Sequence, residues 1–117
     1  MAKYLDAANP ASEPPMEVEP LCVSSLITWM DQRLSPEFLQ RLNSKTTTKI
    51  HQGYGCATLL WLHENGVLHP DKYPFAGTIH DLLVCVLTRT STVVMSQQNA
   101  TNWGLFDQQI NAWEREM

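Results

Sequence analysis

The sequence has few glycines, few cysteines and no long apolar run, and each shortage argues against a class of protein. Its five glycines form no phosphate-binding loop of the Walker or dinucleotide-binding type. Its three cysteines are odd in number and far apart, so we expect free thiols rather than a disulfide framework. No apolar run approaches the about 20 residues of a membrane-spanning helix, and the first residues do not resemble a signal peptide. These features predict a cytoplasmic protein without membrane association.

The sequence also lacks the ligand spacings that are typical of metal sites and activated nucleophiles. Its four histidines and three cysteines include no Cys-x-x-Cys or His-x-x-x-His pair, and His63, His69 and Asp71 form no recognised pattern. Cys56 precedes an apolar run, which indicates a buried thiol rather than a reactive one. We therefore expect no metal, no other cofactor and no catalytic residue. We consider three functional hypotheses for this sequence. A small enzyme built around Cys56 or the histidines is the least favoured, and the other two are given below.

Charge is distributed unevenly along the 117 residues, whose formal net charge is −4. Residues 1–20 carry four carboxylates against Lys3 alone, contain four prolines and have few large apolar side chains. Such a composition cannot bury enough surface to offset the entropy of ordering the backbone. The sequence therefore predicts a disordered acidic arm over residues 1–20 and a single helical domain over residues 21–117.

The stretch 79–97 is the longest without glycine, proline or asparagine and is rich in branched apolar residues. Apolar residues recur in it at three- and four-residue spacing, Thr78 can cap its start, and Asp81 lies in the first turn. We predict one central helix, buried on all sides, around which the chain is organised. Its β-branched content leaves an alternative open, an α+β fold with strands within residues 82–95.

Other segments complete a prediction of an all-α protein, a bundle of four to five helices. One helix is expected over residues 24–34, and Ser35-Pro36-Glu37 has the cap, first-position proline and first-turn acid that begin another. A long helix is expected over residues 45–64. The last helix is predicted from Trp103, Phe106, Ile110 and Trp113, which are spaced three, four and three residues apart.

Two surfaces are candidates for binding. Trp103, Phe106 and Trp113 could form a face that docks a partner, because aromatic side chains dominate interface energies. Arg41, Lys45 and Lys49 recur every four residues and would form one positive face if the helix continued through Ser44. We expect another protein as the main partner, with nucleic acid a weaker possibility; the sequence leaves the oligomeric state open.

The leading functional hypothesis follows mainly from these absences. It is a small non-enzymatic protein-interaction module, an adaptor, chaperone-like accessory factor or inhibitor that acts through a helical surface. The alternative is a nucleic-acid-associated regulator that uses the basic face.

Overall fold

A computed structural model describes residues 23–114 of the chain. The regular structure of the described part is mainly helical, and this part ends in a small β-hairpin. Its strands are antiparallel, with Phe106 paired to Trp113 and Asp107 to Ala112. In chain order the elements are α1 (Pro36–Asn43), α2 (Gly55–Glu64), α3 (Ile79–Thr88), α4 (Gln97–Trp103), β1 (Phe106–Asp107) and β2 (Ala112–Trp113).

Two expectations concern parts of the chain that the structure does not test. The predicted acidic arm, residues 1–20, lies outside the described residues, and so do residues 21–22 and 115–117. The organisation of residues 21–117 as a single domain stays a prediction.

Among residues 23–114, no helix is both long enough and apolar enough to cross a membrane.

Helix α1 begins where the sequence predicts. It ends before Lys45 and Lys49, so it is too short to carry the predicted basic face. The Ser35 hydroxyl accepts a hydrogen bond from the Phe38 N–H at 3.2 Å, and Pro36 takes the first helical position. After Asn43 the helix stops. The Asn43 side chain donates to the carbonyls of Leu39 and Ile50, and its oxygen accepts from the Ile50 N–H at 2.7 Å. Asn43 thus ties the end of α1 to the loop that follows it.

The main core lies between α1, α2, the segments that flank them, and Leu105 after α4. Partly buried side chains from α1, α2 and the residue before α2, among them Phe38, Tyr54 and Trp61, pack around it. No α3 residue belongs to this cluster, so the prediction that residues 79–97 form the centre of the fold is wrong. The buried residues of the cluster are Leu34, Leu42, Ile50, Ala57 and Leu105.

Helix α3 is half the expected length. It opens with a capping box in which the Thr78 hydroxyl accepts from the Asp81 N–H while the Asp81 carboxylate accepts from the Thr78 N–H at 2.8 Å. It ends at Thr88, and Arg89 adopts a left-handed conformation with φ 55°. Residues 90–94, which include four β-branched side chains, are poor helix formers, and the chain turns away there. The alternative of strands within residues 82–95 is also wrong, because this described stretch contains only helix, turns and unpaired backbone.

Of two further predicted helices, one does not form in the described residues and the other is shortened. Residues 24–34 contain a turn closed by the Asp31 N–H and the Thr28 carbonyl, but no helix. Residues 45–54 are also non-helical, so the expected helix over 45–64 begins only at Gly55. Gly53 has φ +79°, and a Cβ there would overlap the Trp29 carbonyl, so this glycine permits a close approach of the two segments.

The chain ends in a hairpin where the spacing of aromatic residues predicted a helix. Gly104 and Leu105 both have positive φ, 98° and 60°, which breaks α4. The Asp107 carboxylate then accepts from the N–H groups of Gln109 and Ile110 at 2.7 and 3.4 Å. Side chains of this type stabilise turns by bonding to the backbone two residues on. The predicted all-α bundle is therefore corrected, for residues 23–114, to four helices with a two-stranded sheet.

Candidate functional site

The three aromatic residues singled out in the sequence do come together, but across the hairpin and not along a helix. The rings of Phe106 and Trp113 pack edge to face with centroids 5.1 Å apart, and Trp103 packs on Trp113 at 6.4 Å. Phe106 is only 3% exposed, whereas both tryptophans are half-buried. The cluster joins the end of α4 to both strands. Its proposed role in binding a partner stays a prediction.

Glu114 fastens the hairpin to the loop before Ile50. Its carboxylate accepts hydrogen bonds from the Thr47 and Thr48 N–H groups at 3.1 and 2.8 Å and from the Thr47 hydroxyl at 2.8 Å. Partial burial alone would raise the pKa of Glu114, but the bonds from Thr48 and Thr47 outweigh it and leave the pKa below its usual value. The charged form is therefore the one that the folded state stabilises.

This carboxylate should make stability depend on acid. Because the pKa of Glu114 is lower in the folded chain, its contribution is complete above the ordinary glutamate value of 4.5 and is lost as pH falls through the folded value. We expect Glu114→Gln to cost about 1 kcal/mol at pH 7 and less at pH 3, as measured by urea unfolding. A matched variant, Glu64→Gln, removes an exposed carboxylate paired with Arg41 and should cost no more than about 0.5 kcal/mol. An equal cost of Glu114→Gln at both pH values would contradict this account.

The basic residues do not form the predicted helical face. Arg41 lies in the last turn of α1, but Lys45 and Lys49 follow the end of the helix. Arg41 pairs with Glu64 and lies 5.1 Å from the Phe38 ring centroid. Arg41 and Lys45 line a shallow cleft of about 90 Å³, well below the roughly 300–1,000 Å³ of small-molecule sites. The binding role of the three basic residues stays a prediction. The continuous helix on which that prediction was based does not form.

The structure reveals a fixed polar pair that the sequence analysis did not single out. Arg33 donates from Nε and Nη2 to the two carboxylate oxygens of Asp31, each at 2.8 Å, and its backbone N–H adds a third bond at 3.0 Å. The guanidinium also lies 5.5 Å from the Trp61 ring centroid. Hydrogen bonding to Arg33 lowers the pKa of Asp31 and raises that of Arg33, so both groups keep their charges.

Three exposed apolar residues precede this pair in the chain. Leu26, Trp29 and Met30 are 71%, 78% and 64% exposed, and Trp29 and Met30 lie in the turn that the Asp31 N–H closes. Arg33 keeps N–H groups that are not used on Asp31, and the carboxylate oxygens can accept further bonds. A fixed donor–acceptor pair of this kind can bind a ligand that carries hydroxyl groups. The sequence signal for this candidate site is the occurrence of Trp29, Asp31 and Arg33 at every second position.

Neither a thiol nucleophile nor a metal cluster is formed by the part of the chain that the structure describes. Burial raises the pKa of the Cys56 thiol to about 12, so the thiolate is scarcely populated near neutral pH. Within residues 23–114, no group of three or more His, Cys, Asp or Glu side chains is placed to hold a metal ion. The geometry therefore does not support the hypothesis of an enzyme built around Cys56.

Comparison with known proteins points to a class of enzymes, the carbohydrate kinases. The chain is 42% identical to sedoheptulokinase of Homo sapiens over 99 residues, and 39% identical to that of Mus musculus over 101 residues. The matches cover 84% and 86% of this chain but only 21% of each relative. The chain thus spans about a fifth of the length of these curated relatives. No protein-family model matches it, and no solved structure matches it significantly.

These relatives correct the functional hypotheses drawn from the sequence. The interpretation as a non-enzymatic interaction module, whether adaptor, accessory factor or inhibitor, is wrong, because most of the chain resembles part of an enzyme. The alternative, a nucleic-acid-associated regulator, is overturned by the same finding. The expectation that the protein is not an enzyme was based on the absence of catalytic motifs. The chain matches only about a fifth of an enzyme's length, so catalytic motifs in the rest of such an enzyme would lie outside it.

Proposed function

We propose that this chain forms one part of a carbohydrate kinase that resembles sedoheptulokinase, and that phosphorylation of the sugar requires polypeptide beyond these residues. The observation that carries the proposal is the 42% identity over 84% of the chain. Identity of 42% over 99 residues is more than one short recurring motif could supply.

The described residues also favour the interpretation that this chain contributes to a larger site and does not form a complete catalytic centre by itself. Phosphoryl transfer depends on positioning and on positive charge that neutralises the transferring group. Arg33 and Arg41 are each paired with a carboxylate, and the cleft beside Arg41 is far too small to enclose a sugar and a nucleotide. The remaining polypeptide of such a kinase would therefore supply much of the phosphate-binding machinery.

Within that kinase we assign the Asp31–Arg33 pair to contact with the sugar. The pair is held in place before any ligand arrives by the three bonds between its members and by the Trp61 ring. Preorganised groups of this kind lower the entropic cost of binding. In this proposal the exposed Trp29 indole, two residues before Asp31, supplies an apolar surface for the C–H face of the sugar.

A chimera tests both parts of the proposal. The matched 99 residues of human sedoheptulokinase are replaced by those of this chain, and sedoheptulose-dependent formation of ADP from ATP is measured. We expect activity from the chimera and none from the isolated chain. In the chimera, Arg33→Lys should lower kcat/KM at least about tenfold, because lysine cannot reproduce the planar two-bond pairing. The matched change Arg89→Lys, at a position between α3 and α4, should leave kcat/KM within about twofold.

Two results would contradict these assignments separately. A folded chimera that lacks activity would overturn the proposed kinase membership. An active chimera in which Arg33→Lys and Arg89→Lys have equal effects would keep the membership and remove the Asp31–Arg33 pair from the sugar site.

A further inference from the structure

Helix α3 has its apolar side turned outward. Asp81 is only 3% exposed and Cys85 is fully buried, yet apolar residues on the rest of the helix face solvent. This is the reverse of the usual arrangement, in which a helix at the surface buries its apolar side and exposes its charges. The exposed fractions are 56% for Ile79, 54% for Leu83, 47% for Val84, 44% for Val86 and 73% for Leu87.

The inward side of α3 is fixed by polar contacts. The Asp81 carboxylate accepts from the Thr78 hydroxyl at 2.7 Å and lies 3.4 Å from the Asn99 amide nitrogen. One turn later the Cys85 thiol donates to the Thr92 carbonyl at 3.4 Å. These bonds fix the rotation of the helix about its axis, so the helix cannot simply roll its apolar side inward.

The outward side forms a continuous surface, which we call the α3 stripe: Ile79, Leu83, Val86 and Leu87. Their spacing of four, three and one residues places them on one helical face. The helix has no lysine, arginine or glutamate, and its sole aspartate points inward. Fully burying one such side chain contributes about 1.5–3 kcal/mol, and contiguous exposed apolar surface of this kind is typical of interfaces.

We infer that the α3 stripe packs against the part of a sedoheptulokinase-like polypeptide that lies beyond the matched residues. This inference rests on the proposed function. Its occupant is set by the comparison of lengths, because about four fifths of each relative lies outside the match and must pack against the matched part somewhere. The uncharged, apolar character of the stripe fits a permanent contact within one fold better than a transient one.

The test compares one substitution in two contexts, the isolated 117-residue chain and the human chimera. Leu87→Glu should lower the Tm of the chimera by about 5 °C or more, because the carboxylate would be buried without a partner. In the isolated chain the same change should shift Tm by less than about 2 °C and reduce binding of the dye ANS. Leu87→Met is the matched control, since methionine and glutamate have similar helix propensities, and it should leave Tm unchanged in both contexts.

A milder variant keeps the test informative if the Leu87→Glu chimera is insoluble. Val86→Thr keeps the side-chain shape but replaces a methyl group with a hydroxyl, so it should lower Tm in the chimera and leave the isolated chain unaffected. Equal shifts in the two contexts would overturn the inference. So would a dimer of the isolated chain that Leu87→Glu dissociates, which would assign the stripe to a second copy. Increased ANS binding after deletion of residues 1–22 would also overturn it, because that segment would then be the cover.

The outcomes separate this inference from the proposed function. Tm measures packing of the stripe whether or not the chimera is active. A folded, inactive chimera with a context-dependent Leu87→Glu effect would retain the packing surface and reject the kinase assignment.

Discussion

Replacing Ile50 with alanine is expected to lower the free energy of unfolding by about 2–5 kcal/mol, the range for removing a large buried aliphatic side chain. Ile50 is 2% exposed and belongs to the cluster of Leu34, Leu42, Ala57 and Leu105. Its backbone is held by Asn43, so the surrounding loop cannot collapse easily into the cavity. Urea unfolding followed by circular dichroism measures the loss.

The same substitution at Ile110 provides the control. Ile110 is 71% exposed in the turn between β1 and β2, so Ile110→Ala should cost no more than about 0.5 kcal/mol. Similar losses at the two positions would show that the core does not lie between α1, α2 and Leu105. A larger loss at Ile110 would mean that the hairpin packs elsewhere.

Gly55→Ala is expected to destabilise the chain by about 1–3 kcal/mol, although alanine is the better helix former. Gly55 is the first residue of α2, and a Cβ there would overlap the indole nitrogen of Trp103. The substitution must displace Trp103, which also packs on Trp113. A change in tryptophan fluorescence should therefore accompany the loss of stability.

Gly66 separates crowding from backbone strain. It has φ +66°, and a Cβ added there would meet no other atom within 4 Å, so only the left-handed backbone restricts substitution. Gly66→Ala should cost about 1 kcal/mol, and Gly66→Asn less, because asparagine tolerates this conformation. Neither should alter tryptophan fluorescence. A stable Gly55→Ala chain with unchanged fluorescence would show that Trp103 does not pack on α2.

Local signals in the sequence were more reliable than its apolar pattern. Ser35-Pro36-Glu37, and Thr78 as a cap with Asp81 in the first turn, correctly identified the starts of α1 and α3, because caps act within one turn. Burial was misjudged at α3. Apolar periodicity shows that a face needs a cover, but it does not show whether the cover lies in the same segment. A helix that is covered by distant polypeptide therefore resembles a core helix in its sequence.

The hairpin illustrates a different limit. The aromatic residues from Trp103 to Trp113 have helical spacing, yet Gly104 and the Asp107 turn interrupt the backbone between them. The turn-forming hydrogen bonds outweigh the helical spacing of the aromatic residues there, because those bonds fix the direction of the chain. The Asp31–Arg33 pair escaped notice because its two residues resemble ordinary outward-facing charges of a helix that the structure does not contain.

Function was misjudged for a related reason. The absence of catalytic motifs from these 117 residues does not describe a whole enzyme, because the similarity is to one fifth of a much longer enzyme. A segment of a kinase can contribute packing surfaces and a few ligand contacts without containing a recognisable phosphate loop.

Sedoheptulose phosphorylation by the human chimera tests the central claim most directly. The reference proteins are intact human sedoheptulokinase and a version that lacks the matched 99 residues. If this chain is part of such a kinase, the chimera should reach a kcat/KM within about tenfold of the intact enzyme, a loss of no more than about 1.4 kcal/mol in transition-state stabilisation. A chimera that is folded, as judged by a cooperative thermal transition, but no more active than the deleted version would contradict the account.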